Sequence, residues 1–306
     1  MITSRIFALA FASLSMPLSL AATFTLRPAE GDVKIEWGSM PRPAPLPPLK
    51  HAAMLLPVSV EGIQGKPLLM QFDLGHTKTV LYSKKWADMA RRLGAGTPEA
   101  SVPMFTFTLG SVTVTARDVE VMQREGAPIN WDNDSPEVIG TIGTDFIDGK
   151  VVTLDFKRGR VALATARDPA RTTGFQPFKF EGRRLLLPAE FEGKKLEVMY
   201  DSGSSAFAWL TSEKEFARLA TPGAQVQSYP VRSWDKMVTA VTAPTAATVT
   251  IGGTTFPIGE VSRIDGMGFM QRMSVSMLGA GGMVGNKLFL DRTLVIDMTN
   301  REFAVF

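Results

Sequence analysis

The stretch MQFDLGHTKTVLY, Met70 to Tyr82, sets one carboxylate, Asp73, between an apolar run and a glycine, with one of the chain's two histidines directly behind. Taken alone, an apolar strand ending in Asp-x-Gly reads as an ordinary turn, because both residues favour turns and the aspartate often only caps a nearby backbone group. The pattern recurs. EVMYDSGSSAFAWLTS, Glu197 to Ser212, brings Asp201, Ser202 and Gly203 to the end of a second apolar strand.

The context of each copy recurs too. LLPVSVEGIQGKPLLMQFDLG from Leu55 and LLPAEFEGKKLEVMYDSG from Leu186 share strand, Glu-Gly turn, strand and Asp-x-Gly, the second being three residues shorter in its turn. FTFTLGSVTV (Phe105 to Val114) matches ATVTIGGTTF (Ala247 to Phe256), each alternating with period two around a glycine turn. GTIGTDFIDGKVVTLDFKRGRVAL from Gly140 aligns without a gap on GMVGNKLFLDRTLVIDMTNREFAV from Gly282, at an offset of 142 that places Gly143 on Gly285 and Asp155 on Asp297. Three ordered matches of this length make the chain two homologous lobes, a duplicated domain rather than a solenoid.

Between these strands each lobe carries one helical stretch. In SKKWADMARRLG, Trp86, Met89, Ala90 and Leu93 fall at helical spacing before a terminating Gly94. In SEKEFARLATPG, Ser212 and Glu215 form a capping-box pattern. The lobes are placed at 51–165 and 173–306, joined by the polar linker ARDPAR.

Composition narrows the setting. The chain has 306 residues, 45% hydrophobic, which suits one large domain or two lobes with a substantial core. Lys+Arg number 33 against 30 Asp+Glu, interspersed rather than blocked, so the basic balance is no nucleic-acid footprint. Residues 1–21 read as a secretory signal peptide, with Arg5 as the only charge, an apolar run and a Ser19-Leu20-Ala21 ending. The run is short and serine-rich for a membrane span, and no other segment is long and apolar enough for one. An exported protein, periplasmic or secreted, is expected. Residues 22–50 are placed as a Pro-rich N-terminal segment ahead of the first lobe, and its end, PRPAPLPPLK from Pro41 to Lys50, is expected to be extended and to space the leader from the folded body. There is no cysteine, which removes disulfides, thiol catalysis and cysteine metal sites.

With both Asp-x-Gly strands and both hydrophobic-hydrophobic-Gly segments in view, the chain resembles the pepsin and retropepsin superfamily of aspartic peptidases over nearly all of 55–306, with the bacterial retropepsin-like proteins similar in pattern. DSGSS with MVGNKLF is a specific match, and DLGH with TIGTDFI an imperfect one. The resemblance implies an all-β-dominated, bilobal acid-protease fold of β-barrel lobes, each with one short helix or two. It implies that each Asp-x-Gly loop sits over its own lobe's Gly143 or Gly285, and that Asp73 and Asp201 meet at the floor of an inter-lobe cleft as the catalytic pair. Gly75, Gly203, Ser202, Ser204 and His76 would support them. The implied activity is hydrolysis of peptide bonds in a peptide or unfolded protein by a water activated between two aspartates, in a monomer, with no metal or organic cofactor.

Two residues depart from the family pattern. Leu74 stands where a hydroxyl residue normally braces the paired loop, and His76 where a small residue is usual. His76 is left with two readings, as a partner stabilising ionised Asp73 or as a ring pointing to solvent at the cleft rim. The same departures support the alternative of a catalytically silent relative that binds a peptide or protein partner. Met267, Met270, Met273 and Met277 have spacings resembling thioether copper sites, against the plainer reading of an adaptable apolar surface. The second lobe has 14 more residues than the first between its aspartate and its glycine, so a loop containing Tyr229 and Trp234 is expected to wall or cover the cleft.

Overall fold

Strand alternation begins earlier in the chain than the repeats suggest. The computed structural model of the protein describes residues 21–96, 100–124, 126–233, 236–266 and 281–306. The leader, Trp234 and the four spaced methionines lie outside these residues. The first lobe is built on a sheet of eight strands. Its order is Thr23–Arg27, Val112–Met122, Val80–Tyr82, Glu137–Ile142, Leu68–Phe72, Leu49–Ser59 and Glu36–Met40, with Ser101–Leu109 pairing two of these off the main path. The second lobe repeats the plan in another eight-stranded sheet, running from Lys179–Glu181 through Arg184–Phe191, Lys194–Tyr200, Met283–Val284, Trp209–Leu210 and Thr254–Asp265 to Lys236–Ile251 and Gln227–Ser233.

Strand pairing follows the repeat closely. Leu68–Phe72 runs parallel to Glu137–Ile142, as Lys194–Tyr200 does to Met283–Val284. Val80–Tyr82 lies parallel to Val112–Met122, as Trp209–Leu210 does to Thr254–Asp265. The expected fold, all-β dominated and bilobal with a helix in each lobe, is the fold observed.

A third sheet of six strands joins the lobes, in the order Gln176–Pro177, Glu302–Val305, Thr293–Asp297, Val151–Asp155, Arg160–Ala164 and Gly31–Lys34. Its central pair is antiparallel, with Thr153 opposite Val295, Val152 opposite Ile296 and Leu154 opposite Leu294. Thr153 and Val295 are the same position of the repeat, 142 apart in sequence, so the local twofold axis passes between them. The apolar core extends through both lobes, from Met54, Phe72 and Phe146 to Tyr200, Phe289 and Phe303.

The N-terminal segment 22–50, placed ahead of the first lobe by the sequence, packs into the folded body. Three strands lie there, and Glu36 pairs with Leu55 as Lys179 pairs with Leu186, which makes 36–40 the first lobe's counterpart of 179–181. Phe24 packs edge-on against Phe146 at 5.2 Å. The proline-rich turn is also docked. Arg42 donates to Pro47 O at 2.7 Å and to Gln227 Oε1 at 2.9 Å, and lies over the Tyr229 ring of the second lobe. Buried apolar area and fixed polar contacts replace the solvated chain that proline content alone suggests.

Among the described residues the two α-helices lie at Ser83–Leu93 and Glu213–Leu219. Gly94 ends the first in the left-handed conformation, at φ 63°, where a Cβ would be strained. Ser212 caps the second by accepting from the Glu215 amide at 3.3 Å. The Glu215 side chain turns instead to Arg218, at 2.8 Å.

Candidate active site

Each candidate aspartate ends a strand and is held at its backbone by the parallel neighbour. The Asp73 amide donates to Ile142 O and the Asp201 amide to Val284 O, both at 3.0 Å, and these acceptors are again equivalent positions. The turn that follows then binds the carboxylate. Asp73 Oδ1 accepts from the amides of Gly75 at 3.0 Å and His76 at 3.1 Å. Asp201 Oδ1 accepts from the Gly203 amide at 2.8 Å, and Oδ2 from the Ser204 hydroxyl at 2.8 Å.

The two loops face each other through their glycines. A Cβ on Gly75 would lie 2.3 Å from Asp201 Oδ1, and one on Gly203 would lie 2.4 Å from Asp73 Cγ. Neither glycine has positive φ, so space rather than backbone conformation excludes a side chain. With the barrier of a Cβ missing on both sides, each carboxyl faces the other loop's glycine.

Ser202 links the loops across the lobes. Its hydroxyl accepts from the Leu74 amide at 2.8 Å and donates to Phe72 O at 2.9 Å, fully buried. Leu74 offers no hydroxyl in return and lies fully buried in the core. One half of the expected reciprocal brace is therefore present, made by the second loop upon the first.

Gly143 and Gly285 sit under the two loops. A Cβ on Gly143 would meet Lys78 O at 2.4 Å, and one on Gly285 would meet Ser204 O at 2.1 Å. Around these glycines each lobe uses different polar groups. In the first, Thr79 Oγ1 accepts from the Gly143 amide at 3.1 Å and donates to buried Asp145 at 2.7 Å. In the second, Asn286 donates to Ser202 O at 3.3 Å and Ser205 Oγ at 3.0 Å, while accepting from the Tyr200 hydroxyl at 2.6 Å. Sequence reasoning did not single out Thr79, Asp145 or Asn286. Asn286 and Thr144 occupy the same repeat position, each polar and directly after a glycine, and that was the available signal.

His76 takes neither of its two expected orientations. Nδ1 lies 2.5 Å from Lys78 O, so the ring folds back on its own loop. Burial pulls its pKa below the usual imidazole value, opposed by that carbonyl and by the charges of Asp145 and Glu120. Tyr82, also unmarked in the sequence, bonds Thr141 Oγ1 at 2.8 Å, with the Arg124 guanidinium over its ring. Burial raises the phenol's pKa.

The cleft above the aspartates has a volume of about 1550 Å³ and is walled chiefly by the second lobe, including Phe191, Leu196, Phe207 and Trp209. Val231 and Val238 of the longer loop reach it. Tyr229 instead is buried in the hairpin behind, 3.3 Å from Thr242 Oγ1.

Burial, then the neighbouring Asp201 charge, holds the Asp73 pKa well above its ordinary 3.8. The folded protein thus binds a proton here more tightly than the unfolded chain. The resulting stabilisation is complete below the unfolded value and is lost as pH rises through the folded one. Asp73→Asn keeps an acceptor for the Gly75 and His76 amides but carries no charge. Its melting temperature should therefore match wild type in acid and exceed it at neutral pH, as read by calorimetry from pH 3 to 8. A constant difference across that range would show that Asp73 does not titrate as described.

A scan against protein-family models and a search of curated proteins gave no match. Among solved structures, the chain is similar to the aspartic proteinase from Irpex lacteus. The match covers 90% of this chain and 97% of that one, with a TM-score of 0.46 and 14% identity.

Proposed function

We propose that the protein is an exported aspartic endopeptidase of the pepsin and retropepsin superfamily, with Asp73 and Asp201 as its catalytic pair. The observation that carries this reading is the reciprocal placement of each carboxylate against the other loop's glycine, with burial and the Asp201 charge raising the Asp73 pKa. Two carboxyls placed against each other in this way do not both ionise readily, so they share one proton. The ionised member takes a proton from water as the oxygen attacks the scissile carbonyl carbon. The protonated member donates to the carbonyl oxygen, giving a tetrahedral gem-diol. Proton transfer to the amide nitrogen then releases the amine and re-forms a carboxylic acid product. Ser202, Gly75, Gly203 and Ser204 position the pair, while Gly143 and Gly285 let the loops pack down.

The substrate is a peptide or unfolded protein lying extended in the cleft, whose volume exceeds that of a small-molecule pocket. The reading of a silent binder drew on Leu74 and His76. In the structure the Leu74 amide is still held by Ser202 and the His76 ring is engaged by Lys78, so neither departure frees the first loop. The deciding experiment is digestion of an unfolded protein from acidic to neutral pH by wild type beside the aspartate variants.

Both half-sites lie in one chain, so the active form is a monomer. After export the chain should begin at Ala22 by intact mass and elute at monomer size, with specific activity unchanged on dilution. Activity that falls as a dimer dissociates would contradict this. Recovery of an uncleaved leader from the exported fraction would remove the assignment of residues 1–21.

A further inference from the structure

The twofold relation of the loops fails at the residue flanking each aspartate on the neighbouring strand. Leu55 pairs with Gln71 and Leu185 with Tyr200. Continued to the ends of these strands, the registers bring Ala53 opposite Asp73 and Arg184 opposite Asp201. Directly opposed residues of an antiparallel pair point to the same face, with Cβ atoms about 5 Å apart. Arg184 accordingly lines the cleft together with Asp73, Asp201 and both loop glycines. On the first lobe's strand it is Ala52 that lines the cleft, so one half-site presents a methyl group here and the other a guanidinium.

This guanidinium differs from the other arginines nearby. Arg183, the next residue, is tied to Thr77 O at 3.2 Å and Asp148 at 2.7 Å. In the same cleft Arg218 is paired with Glu192 and Glu215, and Arg263 with Asp265. Among the described residues Arg184 has no ion pair or hydrogen bond through its side chain, although it is half-buried. Glu181, across the tight turn, does not reach it, and its charge acts on Lys179. Arg184 Nη1 lies against the turn, 3.6 Å from where a Cβ on Gly182 would stand. The absence of a side chain at Gly182 leaves the fork open.

We propose that Arg184 is a specificity-determining residue that binds an acidic side chain of the substrate in the subsite on the Asp201 side of the scissile bond. This rests on the peptidase reading. A half-buried guanidinium without a counter-charge is incompletely satisfied, and an arriving carboxylate supplies the charge and two acceptors in the geometry that arginine matches best. Lysine would be repelled there, so discrimination has an attractive and a repulsive part. On the Asp73 side Ala52 supplies no such selection, so the acidic preference should fall on one side of the cleavage point only.

Mass-spectrometric profiling of an unbiased peptide library tests this, followed by kcat/KM for matched peptides carrying Glu, Gln or Lys at the enriched position. The Glu peptide should exceed the Gln peptide by about tenfold, the ratio should fall close to one in Arg184→Gln, and Arg184→Glu should favour Lys. Cleavage without an acidic preference, or a preference that survives Arg184→Gln, overturns the inference and leaves the peptidase reading standing. If wild type cleaves nothing, that reading falls instead. Calorimetric binding of the same Glu and Gln peptides to wild type and Arg184→Gln then decides the role of Arg184, and equal affinities in all four pairings would overturn it.

Discussion

Asp73→Asn and Asp201→Asn should each lower cleavage of an unfolded protein by about 10³-fold while leaving the chain folded and able to bind peptide. An amide neither accepts the proton of the attacking water nor shares one with its partner, yet it matches the carboxylate in size and keeps one acceptor oxygen. For Asp73 that oxygen can still receive the amides of Gly75 and His76. For Asp201 it can still receive Gly203 or Ser204. Loss of rate with peptide affinity retained would assign both residues to the chemical step. A variant as active as wild type would remove its aspartate from the mechanism, and loss of both rate and fold would point to a structural role.

Gly203→Ala and Gly75→Ala should be almost as damaging to the rate. The new methyl would stand 2.4 Å from the Asp73 carboxyl carbon or 2.3 Å from an Asp201 oxygen. A carboxylate on a rotatable side chain can move where a main-chain carbonyl cannot, so the fold should survive while the pair is forced apart. Displacement of a reacting group by about 1 Å costs on the order of 10²-fold. Gly143→Ala and Gly285→Ala provide the contrast, because there the methyl meets main-chain oxygens at 2.4 and 2.1 Å. Those variants should lose soluble folded protein outright. Thermal melts beside kcat/KM separate the two outcomes, and full activity in Gly203→Ala would show that the loops are not packed face to face.

The parts of this architecture that were legible in sequence are those where chemistry admits few residue types. An Asp-x-Gly after an apolar strand, repeated with its hairpin and its glycine-bearing partner strand, reflects packing too close for a Cβ at Gly75, Gly143, Gly203 and Gly285. Helix ends at Gly94 and Ser212 were legible for the same kind of reason. The amino-terminal strands were not, because TFTLR and EWGSM are short and only half-buried. Their pairing is set by partners far along the chain, and their side chains carry little of the signal. The orientation of His76 was equally hidden, since a carbonyl two residues away competes for the ring on terms that sequence spacing does not display. The polar bracing by Asp145 and Asn286 went unread for a related reason, as its partners come together only when strands distant in sequence are side by side.

The six-stranded sheet that joins the lobes bears on how a long peptide could enter the cleft. A hinge needs a connection that bends without losing bonds, and the lobes are not joined by one. Their central strands are laddered together from Val151 opposite Asp297 to Asp155 opposite Thr293, and Arg167 of the linker is clamped to Asp297 and Glu302. Swinging the lobes apart would tear this floor along its middle. A trough with its keel laddered in this way should open at the strands and turns along its upper edges rather than by parting its two halves.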